Sequence, residues 1–163
     1  MIGLFLGATS KKPSHQPGIH QQITTMAKQR KAWRIGSGKK PTSSLPDSIK
    51  TDLEAKATAL IVNVLKPKHV QPPKKDEQFN YITDIGTKWY GNYFYFFSTY
   101  ACPSPNALSP TFESKFARME PLGNGRFALY FMRYTGKEWV GAFDALTVDE
   151  SMKALQDDEW FVP

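Results

Sequence analysis

The stretch Gly123-Asn124-Gly125-Arg126-Phe127-Ala128-Leu129-Tyr130-Phe131-Met132-Arg133-Tyr134-Thr135-Gly136-Lys137 decides the fold class. Two glycine-bearing turns bracket a run whose side chains separate by alternation. Phe127, Leu129 and Phe131 fall on one side of an extended chain, and Arg126, Ala128, Tyr130, Met132 and Tyr134 on the other. The first set reads as core. Working outward, residues 112–122 supply a partner strand across the upstream turn, and residues 138–143 continue after the downstream one. Residues 79–89 and 93–100 flank Tyr90-Gly91-Asn92, a second tight hairpin turn. Between the hairpins, residues 101–110 carry three prolines, which prevents a ladder strand there. Five strands joined mostly by short turns predict an antiparallel meander.

Helical periodicity appears on both sides of this block. Ile49, Leu53, Ala57, Leu60, Ile61 and Val64 recur at three- and four-residue steps, giving one apolar stripe. Pro46 and Asp47 suit the start of that helix, Asp52 and Lys56 form an i,i+4 pair, and Lys66-Pro67 is expected to stop it. Residues 66–78, with three prolines and four lysines, then read as a connector. Near the end, Thr147-Val148-Asp149-Glu150 has capping-box spacing. Val148, Met152 and Leu155 give the short helix an apolar face, and Trp160 and Phe161 anchor the C-terminus. The expected fold is α+β: an N-terminal helix, a five-stranded antiparallel meander and a short C-terminal helix.

Charge divides the chain. Residues 1–46 hold eight basic side chains and no acidic one, whereas the remaining 117 hold 13 basic and 15 acidic residues. Residues 1–45 are poor in apolar groups and read as a disordered basic arm, ahead of a single domain over residues 46–163. Trp33 and Ile35 are exceptions that suit a short docking element. Met26, followed by Ala27-Lys28-Gln29-Arg30, offers an alternative start, making residues 1–25 a candidate upstream extension. The apolar opening at residues 1–8 lacks the basic n-region of a signal peptide, and no run is long enough to span a bilayer. The single cysteine, Cys102, excludes an intramolecular disulfide and fits a cytoplasmic location.

Phe116-Ala117-Arg118, residues 127–133 from Phe127 to Arg133, Gly136-Lys137-Glu138-Trp139 and the terminal Asp157-Asp158-Glu159-Trp160-Phe161 together resemble a bacterial family, domain of unknown function 3024. The resemblance covers residues 47–163 and implies a fold but no activity. Phe131 stands where the family's pattern leads one to expect tryptophan, and the loop from Cys102 to Pro110 is distinctive.

The sequence offers two candidate binding surfaces. Lys28, Arg30, Lys31, Trp33, Arg34, Lys39 and Lys40 form a polycation with a stacking group, which favours nucleic acid or the ribosome. The arm lacks the sustained amphipathic pattern of a membrane-surface segment. On the sheet, Arg118, Arg126, Tyr130 and Tyr134 share an amphipathic face that resembles, chemically, the stacking platforms for single strands. Burial expectations favour the alternative that the proline-rich loop and Trp160-Phe161 cover that face, and a homodimer or protein partner would hide it too.

Catalysis has little support. No spacing of His, Cys and carboxylate marks a nucleophile with its base, and no glycine-rich phosphate loop is present. His15 and His20 lack further ligands for a metal, and Cys102 has no adjacent cation or helix start to activate its thiol. No catalytic residue, metal or cofactor is therefore named. The leading expectation is a non-catalytic accessory binder of nucleic acid or ribosome, followed by a protein-interaction or homodimerisation module. A small-ligand enzyme comes third.

Overall fold

The computed structural model describes residues 45–73 and 78–163, together with the backbone of residues 34–35. The expected disorder of the arm falls, apart from those two positions and Leu45, outside the described residues. Leu45 is buried and joins the core.

In chain order the elements are strand β1 (Arg34–Ile35), helix α1 (Asp47–Leu60), a π-helical turn (Ile61–Leu65), helix α2 (Lys66–His69), strands β2 (Tyr81–Tyr90), β3 (Tyr93–Ala101), β4 (Thr111–Gly123), β5 (Arg126–Arg133) and β6 (Glu138–Leu146), helix α3 (Val148–Asp157) and a 3-10 turn (Glu159–Phe161). All strands pair antiparallel in the order β1-β6-β5-β4-β3-β2. The five-strand meander is thus present. The two residues of β1 extend it at one edge, with Arg34 opposite Gly141 and Ile35 opposite Val140.

Turn chemistry sets the registers. Tyr90 pairs with Tyr93 across Gly91-Asn92, where Gly91 takes φ of 61°. Gly123 pairs with Arg126 across Asn124-Gly125, whose φ values of 51° and 67° match a type I′ hairpin. Its positive φ at two successive positions is why Asn-Gly suits it.

The helices pack on one sheet face. Leu53, Ala57, Leu60, Ile61 and Leu65 from the first helical run, and Val148, Met152 and Leu155 from α3, share a core with Phe94, Phe96, Phe116, Met119, Phe127, Leu129 and Phe131. The capping box forms as expected: the Glu150 amide donates to Thr147 Oγ1 at 3.2 Å, and the Thr147 amide donates to Glu150 Oε2 at 2.8 Å. Lys56 meets Asp52 at 3.0 Å and reaches Asp149 of α3 at 2.8 Å, tying the two helices together.

One helix boundary differs from expectation. The helical run passes through Pro67 and ends at His69. The turn before it widens to π geometry, with the Lys66 amide donating to the Ile61 carbonyl. Proline's ring conflicts with a carbonyl one turn back, and a π turn is one of the ways a helix absorbs that conflict. Lys66, Lys68 and His69 then sit at the negative end of the helix.

Candidate ligand-binding sheet face

The sheet face away from the helices is built by alternation from β3, β4, β5 and β6. On β3, Phe94 and Phe96 point into the core, so Tyr93, Tyr95 and Phe97 point to the opposite face. Register then places Arg118 of β4 opposite Tyr95, Tyr130 of β5 opposite Arg118, and Trp139 of β6 opposite Met132.

Arg118 is the centre of this face. Its guanidinium carbon lies 4.7 Å from the Tyr93 ring centroid, 4.4 Å from that of Tyr130 and 5.1 Å from that of Trp139. Tyr95 packs on Trp139 with centroids 5.6 Å apart. Arg118 is 8% exposed, and its nearest carboxylate, Glu120, is 3.8 Å away. A buried charge of this kind is tolerated because a planar, weakly hydrated guanidinium stacks well on rings and has an opposite charge at hand. Its Nε is buried without a hydrogen-bond partner among the described residues.

Glu120 also acts on the phenols. Burial, then the charge of Glu120 and a hydrogen bond to it, push the Tyr130 hydroxyl up to about 12. Burial, followed by Glu120, raises Tyr93 as well. Tyr130 is therefore a neutral phenol throughout the physiological range.

Beside the cage lies a second cation. The Lys115 ammonium sits 4.4 Å from the Tyr95 centroid and 5.3 Å from that of Tyr90. Lys88, 4.5 Å from the Phe97 centroid, pairs with Glu113. Lys115 has no carboxylate partner among the described residues. Strict alternation would put Lys115 and Arg118 on opposite faces. A bulge at Phe116, where Phe96 pairs with Ala117 but Phe97 with Lys115, returns both to the same face.

The sequence-selected residues divide accordingly. Arg118 and Tyr130 come together in the cage. Arg126 lies at the start of β5, where Nη1 donates to the Ala145 carbonyl at 3.0 Å and meets Glu150 at 3.4 Å. Tyr134 sits beyond the end of β5; its hydroxyl donates to the Lys115 carbonyl at 3.3 Å and accepts from Ser114 Oγ at 3.2 Å. Of the arm residues, Lys28, Arg30, Lys31, Trp33, Lys39 and Lys40 lie outside the described residues, and Arg34 is described by its backbone alone. Sequence reasoning had no way to select Lys115, because the bulge has no local signature. Trp139 and Glu120 were reachable by alternation once the strand partners were known.

Among the described residues, the proline-rich loop and Trp160-Phe161 do not cover this face. Trp160 stacks on Phe131 at 5.1 Å, and Phe161 meets Phe131 and Phe143, each at 6.4 Å, on the helix side. The short α3 returns the chain over the core face, so these rings have no path to the other side. The proline-rich loop is closed by the Cys102 amide donating to the Pro110 carbonyl at 2.8 Å, and lies beside Asn80 and Phe112 at the far end of the sheet.

A family model described as "Domain of unknown function (DUF3024)" matches residues 45–163. The chain belongs to this family. Neither a curated protein nor a solved structure matches it. The DUF3024 match spans α1 through the C-terminus, and so contains the whole caged face. No helix among the described residues is long and apolar enough to cross a membrane.

Proposed function

We propose that this DUF3024 chain is a non-catalytic accessory protein that binds single-stranded nucleic acid, free or on the ribosome. The observation that carries this reading is the face opposite the described helices, on which Tyr93, Tyr95, Tyr130 and Trp139 gather round Arg118 and Lys115. Aromatic rings stack on bases of any sequence, and a neighbouring cation such as Lys115 favours the phosphate backbone. The position of β1 supports a joint role for the arm. Ile35 pairs with Val140, the residue after Trp139, so the basic segment meets the sheet at the edge next to the aromatic cage.

A second reading has its own support. Lys88 is paired with Glu113 and Arg118 with Glu120, which leaves the face itself nearly neutral. Such a surface also suits a protein partner or a second copy of the chain.

Fluorescence anisotropy with a labelled oligothymidylate, measured across a salt series, separates the two. Changing Lys28, Arg30, Lys31, Lys39 and Lys40 together to Gln is expected to lower the log–log salt slope by about 0.7 for each phosphate that the arm no longer neutralises. Tyr130→Ala, with its far-UV spectrum intact, is expected to weaken binding about tenfold or more. Unchanged affinity in both variants, with a concentration-dependent dimer in sedimentation, would favour the second reading.

A further inference from the structure

We infer that Arg118 is a positioning residue of this face, holding its rings in place, and that Lys115 is the strand cation that meets a ligand phosphate. The inference rests on the nucleic-acid reading for Lys115 only.

Three facts argue that Arg118 is already committed. Its side chain is 10% exposed, it lies within 5.1 Å of three ring centroids, and Glu120 balances its charge at 3.8 Å. A phosphate approaching the guanidinium would have to displace rings and would meet Glu120. The rings come from three strands, β3, β5 and β6, and Arg118 on β4 touches one from each: Tyr93, Tyr130 and Trp139. Lysine carries the same charge but has no plane to stack, so it cannot fill this place. Lys115 differs in exposure and in charge pairing. It is half-buried, lies over Tyr95 and Tyr90, and has no carboxylate partner among the described residues. An ammonium beside stacking rings, with no carboxylate partner among the described residues, is placed to release counterions when a single strand binds.

The test uses the full chain, near-UV circular dichroism for ring order, and oligothymidylate binding over a salt series. Arg118→Lys is expected to flatten the aromatic spectrum and weaken binding about tenfold, with the salt slope unchanged. Lys115→Gln is expected to keep the spectrum and to lower the slope by about 0.7. Arg118→Gln supplies the reverse comparison: a slope reduced as in Lys115→Gln, with an intact spectrum, would overturn the assignment. Retention of both spectrum and affinity in Arg118→Lys would overturn it as well. If the wild-type chain binds no oligonucleotide, the nucleic-acid reading and the role of Lys115 fall, while the near-UV spectra still decide the role of Arg118. Should both Arg118 variants fail to fold, NMR on the wild type decides it: ring-current-shifted Arg118 side-chain protons with contacts to the Tyr93, Tyr130 and Trp139 rings are expected, and their absence would overturn the assignment.

Discussion

Tyr130 shows how a single side chain reports on its surroundings. Burial and the adjacent Glu120 hold its phenol up to about 12, against an ordinary value of 10.0. Because the folded pKa is the higher one, its favourable contribution is complete below the unfolded value. It is then lost as pH rises through the folded value. Alkaline titration followed by phenolate absorbance should therefore show one tyrosine ionising last, near pH 12. Tyr130→Phe is expected to remove that component and to lessen the fall in stability above pH 10.0. Persistence of the late component in the variant would assign it to another tyrosine. Gly86 illustrates a different constraint at this scale. The Phe97 ring lies over it so closely that a Cβ would sit 2.8 Å from Cζ. Glycine here lets Phe97 lie flat on the sheet beneath Lys88.

Among the elements, α3 is the most dependent on its first turn. Thr147 and Glu150 satisfy each other's backbone amides, and Ser151 Oγ donates to the Thr147 carbonyl at 2.7 Å. Thr147→Ala is expected to cost about 1 kcal/mol in chemical denaturation, the usual effect of losing such a cap. The π turn and α2 are fastened to β2 by Lys66, whose ammonium lies 2.6 Å from Asp84. That contact, helped by the Ile85 amide, holds the Asp84 carboxyl below its ordinary value of 3.8. A depressed carboxylate contributes stability above its unfolded pKa and loses it as pH falls through the folded one. Asp84→Asn should accordingly flatten the acid limb of a stability–pH profile below about pH 4. Both groups are well exposed, so the effect is expected to be small. The Phe116 bulge is the element-scale feature with the largest consequence, since it moves Lys115 onto the face of Arg118.

For the molecule as a whole, the two sheet faces are built differently. One is sealed by helices and by the C-terminal rings; Phe161, 2% exposed, closes it beside Phe131 and Phe143. Phe161→Ala is expected to cost about 3–5 kcal/mol, as for other buried aromatic truncations. It should leave oligonucleotide affinity unchanged under conditions where the variant is folded, because the caged face lies on the other side. A parallel loss of affinity in folded Phe161→Ala would show that the two faces are coupled. The arm enters this arrangement at the β6 edge through Arg34 and Ile35. That edge is where electrostatic attraction and aromatic stacking are brought together in the proposed function.

The meander, both helices and the capping box were legible in residues 46–163 because they depend on local patterns. Alternation, three- and four-residue periodicity, Asn-Gly turns and the Thr147–Glu150 spacing act within a few residues of one another. Half of the site was legible for the same reason: alternation on β5 put Tyr130 away from the core, and Arg118 was assigned to the same face. What remained was non-local. A bulge in β4 exists only in relation to β3, and Trp139 reaches Arg118 only because β6 is the second strand across from β4. The destination of Trp160 and Phe161 depended on which face α3 covered, and composition carries no record of that. Local chemistry determined the elements; long-range pairing decided that their aromatic surplus would surround an arginine on the face opposite the helices.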